Sequence, residues 1–91
     1  MADITVTGSD RGSLEYDVAV QDGGRTSSYQ VSVPPDLPGR LGGVAPHTLV
    51  RESFAFLLER EPPSSILSKF SLSVVPRYFP EYLDEMRSRL S

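Results

Sequence analysis

Three observations predict an α+β fold: a three-stranded antiparallel β-meander packed against a central helix and followed by short C-terminal helices. Apolar and polar residues alternate up to Val33, proline and glycine crowd residues 35–46, and from His47 the apolar spacing becomes helical. Alternation at period two places the apolar set of a strand on one face, whereas spacing near 3.6 gathers it into a helical stripe.

The strands come first. Ile4 and Val6 alternate with Asp3, Thr5 and Thr7; Leu14, Tyr16, Val18 and Val20 alternate with Glu15, Asp17, Ala19 and Gln21; Tyr29, Val31 and Val33 alternate with Gln30 and Ser32. Gly8-Ser9-Asp10-Arg11-Gly12 joins the first pair of strands. Asp22-Gly23-Gly24-Arg25 joins the second and supplies glycines where a hairpin turn needs positive φ. The sheet so formed has one dry face and one wet face.

Residues 34–46 hold four prolines and three glycines, which end the sheet and form a hinge between the halves. Val50, Phe54, Leu57 and Leu58 then make a helical stripe, widened by Leu49 and Phe56, with Arg51, Glu52, Glu59 and Arg60 off it. Thr48 is the expected N-cap, and Pro62-Pro63 stops the helix. This helix should cover the dry face of the sheet. In residues 64–91, short helices are expected to be capped by Ser64 or Ser65 (carrying Ile66, Leu67 and Phe70) and by Ser73 (carrying Val74, Val75, Tyr78 and Phe79). A last helix would open at Pro80 and carry Leu83, Met86 and Leu90, with its acids early and Arg87 and Arg89 late, as the helix dipole favours. The strict alternation of Phe70-Ser71-Leu72-Ser73-Val74 also fits a strand. Helices are the favoured reading.

The 91 residues are read as one small domain: a meander over 1–34, a Pro/Gly loop over 35–46 and a helical half over 47–91. The chain has no cysteine, which removes disulfides, thiolate metal sites and thiol nucleophiles together. The start, Met1-Ala2-Asp3-Ile4, lacks the basic and apolar regions of a signal peptide, and no apolar run is long enough to span a bilayer. A cytoplasmic location, with no membrane partner, is expected. The net charge of −3 lies in residues 1–46, since residues 47–91 balance. Nucleic-acid binders draw most of their affinity from a basic face, so this charge disfavours nucleic acid as a partner.

Four groups of residues are candidate sites. His47 is the only histidine and has no cysteine or carboxylate cluster beside it, so it reads as a surface or capping residue. Gly39-Arg40-Leu41-Gly42-Gly43 resembles a phosphate-cradling loop, yet it follows a strand and Pro38 and lacks the Lys-Ser/Thr of a P-loop. Glu59 with Glu61, and Asp84 with Glu85, are neighbouring acids on a helix surface, the ordinary solvated arrangement. No metal, cofactor or catalytic residue is assigned. The fourth group, Arg77, Tyr78, Phe79 and Tyr82, places three rings and a guanidinium within one short stretch. Aromatics and arginine anchor protein interfaces. These four are the candidate partner-binding residues, and completion of a small core by Phe79 and Tyr82 is the competing reading.

Two resemblances bear on this. The stretch from Glu52 to Pro62 (ESFAFLLEREP), continuing through Ser65-Ile66-Leu67, Phe70 and Tyr78-Phe79-Pro80-Glu81-Tyr82, resembles a family of short, uncharacterised prokaryotic proteins. Separately, Tyr29 to Gly39 (YQVSVPPDLPG), followed by a helix ending in Leu57-Leu58-Glu59, is similar to HicB-like antitoxins over residues 29–59. That similarity implies a small sheet on a helix, neutralisation of an RNA-cleaving toxin, and often DNA binding by an added segment. The chain departs from that pattern by an extra proline, by Arg40 where the family usually has cysteine, and by lacking an acidic pair early in the helix.

The function expected is therefore a non-enzymatic protein-binding module, antitoxin-like, taking a basic protein partner through the Arg77–Tyr82 segment or an open strand edge, with homodimerisation through that edge. The alternative is a nucleic-acid-binding transcriptional regulator using the C-terminal helices.

Overall fold

The computed structural model describes residues 3–8 and 14–90. Ser9, Asp10, Arg11 and Gly12, expected as the first turn, lie outside the described residues. The three predicted strands are present as β1 (Asp3–Gly8), β2 (Glu15–Asp22) and β3 (Arg25–Ser32), paired antiparallel in sequence order. The β2–β3 turn is set by its glycines. Gly23 and Gly24 take φ of 58° and 85°, and Asp22 pairs with Arg25 across them. Two consecutive positive φ values define the turn whose twist matches that of the flanking strands.

Beyond β3 the structure differs from expectation. First, the segment expected as a hinge holds a short helix, α1 (Leu37–Arg40), and Leu37 and Leu41 are buried, which pins it to the core. Second, the central helix, α2 (Pro46–Arg60), starts earlier than a Thr48 cap would place it, after Ala45 and with no side-chain cap. Proline at the first helical position presets φ and has no amide to satisfy, so a capping hydroxyl is dispensable. Glu61 terminates α2 in extended geometry, as a residue before proline must.

Third, the sheet has four strands rather than three. Residues 63–65 form a single 3-10 turn, not a helix carrying Ile66 and Phe70, and Lys69–Ser71 form β4, parallel to β3. Of the alternating stretch Phe70–Val74, only Phe70 and Ser71 are strand. The reason for β4 is non-local: β3 would otherwise leave its outer edge open at Gln30–Ser32, and β4 satisfies those backbone groups, as the Gln30 amide donating to the Ser68 carbonyl at 2.8 Å shows. A parallel pair needs a crossover, and α2 provides it. A second 3-10 turn (Leu72–Val74) leads into α3 (Val75–Tyr78), with Pro76 in its first turn. The last helix, α4 (Tyr82–Leu90), opens two residues beyond Pro80, with Asp84 and Glu85 early and Arg87 and Arg89 late.

The molecule is thus α+β, a mixed four-stranded sheet with helices on its dry face. Val18, Val20, Tyr29 and Val31 from the sheet meet Leu49, Val50, Phe54, Phe56 and Leu57 from α2, all buried. The Phe54 ring lies 5.1 Å from Tyr29 and 5.9 Å from Phe70, so α2 contacts β3 and β4 together. The Tyr29 hydroxyl donates to the Pro63 carbonyl at 2.7 Å and fixes the turn after α2 to the sheet. No helix among the described residues is long and apolar enough to cross a membrane.

Candidate protein-binding groove

The four residues expected to bind a partner divide into two pairs. Tyr82 is fully buried, and Phe79 is half-buried with its ring edge-on to Phe56 at 5.8 Å. The expectation that Tyr82 is a contact residue is corrected by this burial: no surface of it reaches solvent. It opens the stripe that continues through Met86 and Leu90, so its ring faces α2 with theirs. Its hydroxyl lies 2.6 Å from Ser53 Oγ, and Ser53 Oγ is in turn 3.9 Å from the Met86 sulfur. Because a thioether only accepts, a Ser53 that donates to Met86 leaves Tyr82 as the donor to Ser53. Burial pushes the Tyr82 phenol up to about 12, with its hydrogen bond to Ser53 a smaller, opposing influence. Sequence reasoning missed Ser53; a polar residue between Val50, Phe54 and Leu57 on the α2 stripe is the signal that could have found it.

Arg77 and Tyr78 point outward, and Tyr78 is 70% exposed. Among the described residues, Tyr78 and Leu67 (58% exposed) are the two large hydrophobic side chains left in water. Both line one groove of about 250 Å³ with Leu57, Ile66, Phe70 and Phe79. The C-terminal end of α2, the link through Leu67, β4 and α3 enclose it, so it exists only because β4 draws residues 66–70 against the helices. Sequence reasoning reached Tyr78 through its aromatic neighbours and missed Leu67, whose exposure has no local signature. A larger hollow, about 540 Å³, lies on the wet face of the sheet between Thr7, Asp17, Ser28, Gln30 and Lys69. It is open strand surface, and neither of the two large exposed hydrophobic side chains stands on it.

The remaining candidates are occupied by structure. In the Gly39–Gly43 loop the amides of Leu41 and Gly43 donate to the Pro38 carbonyl and that of Gly42 to Gly39, so they are turned inward and offer no anion cradle. His47 Nε2 lies 3.1 Å from the Val6 carbonyl; a carbonyl only accepts, so Nε2 carries the proton. This covers part of the β1 edge through which homodimerisation was expected. Glu59 takes a 2.6 Å bond from Arg89, which holds its carboxyl below the usual range. Arg60 stacks 3.7 Å over the Phe56 ring and reaches Glu81, and Arg87 pairs with Asp84. Arg60, Arg87 and Arg89 are thus paired with carboxylates, Arg77 is exposed on α3, and α3 itself is four residues long. Among the described residues no three His, Asp or Glu stand together as a metal site.

Compared with protein-family models, with curated proteins and with solved structures, the chain matches none of them.

Proposed function

We propose that this chain is a non-enzymatic protein-binding module whose contact surface is the groove between Leu67 and Tyr78. One observation carries the reading: the two large hydrophobic side chains left in water line the same apolar depression. Scattered exposed apolar residues need no explanation, but a clustered pair around a concavity is the pattern of an interaction site. The antitoxin-like role implied by the resemblance over residues 29–59 is one form of this reading, in which the partner is a small basic protein. The excess of Asp3, Glu15 and Asp17 over Lys69 at wet-face positions would speed encounter with such a partner.

The test is affinity capture from the source lysate, with and without nuclease treatment, using the native chain, Leu67→Asp and Tyr78→Ala. One stoichiometric protein held by the native chain and lost by both variants, at unchanged melting temperature, supports the groove. A protein held equally by all three places the contact elsewhere, and recovery of nucleic acid alone moves the function to the regulator.

A further inference from the structure

We infer that the groove takes a partner segment whose large apolar side chain is flanked by lysine or arginine. The inference rests on the groove being the binding surface and adds the chemistry of its occupant.

Size sets the first limit. A depression of about 250 Å³ lies below the usual range of small-molecule sites, roughly 300–1,000 Å³. It suits one or two protruding side chains. The walls, formed by Leu57, Ile66, Leu67, Phe70, Val75 and Phe79, specify that those side chains are apolar.

Charge sets the second. Glu61 is the only charged residue lining the groove. The neighbouring acids of α2 and α4 are each paired internally, Glu59 and Glu85 sharing Arg89, Glu81 with Arg60 and Asp84 with Arg87. Glu61 makes no ion pair among the described residues. It also follows directly on the last residue of α2, where the final carbonyls and the helix dipole already present partial negative charge. The nearest cation in sequence, Arg60, is drawn away to Glu59, Glu81 and the Phe56 ring. An uncompensated carboxylate at the negative end of a helix, on the wall of an apolar groove, selects a cation next to the apolar anchor.

The experiment is a ¹⁵N-resolved NMR titration of the full chain with three defined probes: N-acetyl-Phe-Arg-amide, N-acetyl-Phe-Glu-amide and N-acetyl-Gly-Arg-amide. Phe-Arg is expected to move the amides of Leu57, Leu67 and Phe79, and to bind about threefold tighter than Phe-Glu, the scale of one partly exposed ion pair. Glu61→Gln should abolish that preference while Phe-Arg still binds the groove. Equal binding of Phe-Arg and Phe-Glu to the native chain overturns the charge selection and leaves the groove standing as an apolar contact surface. Binding of Gly-Arg as tight as that of Phe-Arg overturns the apolar anchor. Failure of both Phe probes to move groove amides removes the premise as well.

Discussion

Tyr78 and Tyr82 lie one helical turn apart in sequence, and their surroundings are opposites. Around Tyr82 the packing is complete. Its ring meets Phe56 at 5.5 Å, its hydroxyl has Ser53, and no buried side-chain nitrogen or oxygen among the described residues lacks a partner. Around Tyr78 it is open, with a ring 70% exposed at the rim of a groove. The difference is one of partners, since the residue type is the same. Ser53 makes burial of a phenol tolerable at position 82, whereas at position 78 the α2 residue lining the same groove is the apolar Leu57. A buried hydroxyl without a partner costs about 1–3 kcal/mol, enough to decide which tyrosine enters the core.

That comparison can be broken by substitution. Tyr82→Ala should cost about 3–5 kcal/mol, read as a fall in the urea midpoint, because a large buried ring is removed. Tyr78→Ala should change stability by less than about 0.5 kcal/mol while abolishing partner capture. Equal losses at the two positions would make Tyr78 a core residue and erase the contrast.

Alkali sharpens it next. The unfolded Tyr82 phenol titrates near its ordinary value of 10 and the folded one at about 12. Between those values the unfolded chain releases a proton that the folded chain keeps. Stability is therefore full below pH 10 and falls as pH rises toward 12, by about 3 kcal/mol at most. Tyr82→Phe should remove that contribution to the slope of unfolding free energy against pH.

A smaller effect comes from the acceptor. Ser53→Ala strands the Tyr82 hydroxyl and should cost about 2 kcal/mol. Adding Tyr82→Phe should recover about 1 kcal/mol of it, since the stranded group is gone. A double variant no better than Ser53→Ala would show that the hydroxyl found another partner.

What the sequence revealed follows the range of the interactions involved. Period-two alternation is local, so Tyr16, Val18 and Val20 announced β2 and its dry face, and Asp22-Gly23-Gly24-Arg25 announced its turn. The α2 stripe was equally legible, although Pro46 displaced its start from the expected Thr48 cap. β4 was harder. Lys69–Ser71 is too short to announce itself and becomes a strand only because the β3 edge is vacant, a fact about residues far away in the chain. The site followed the same rule. Tyr78 and Phe79 were visible as a cluster, Tyr82 was misplaced because its partner is on another helix, and Leu67 carried no signal. Glu61 could not be told from Glu59 until the arginines had chosen between them.

The three-residue pairing of β4 with β3 also dictates an order of assembly. Closing it joins segments separated by the whole of α1 and α2, so its entropic cost comes before its reward, and it should form late and open first. Phe70, a wall of the groove, rides on that strand. Opening by local fluctuation would thus dismantle the contact surface while the β1–β3 hairpins and α2 stay folded. During synthesis the surface cannot exist until Phe79 has left the ribosome. A partner that binds the groove clamps the least stable strand, and native-state hydrogen exchange at Phe70 and Ser71 would slow on its arrival.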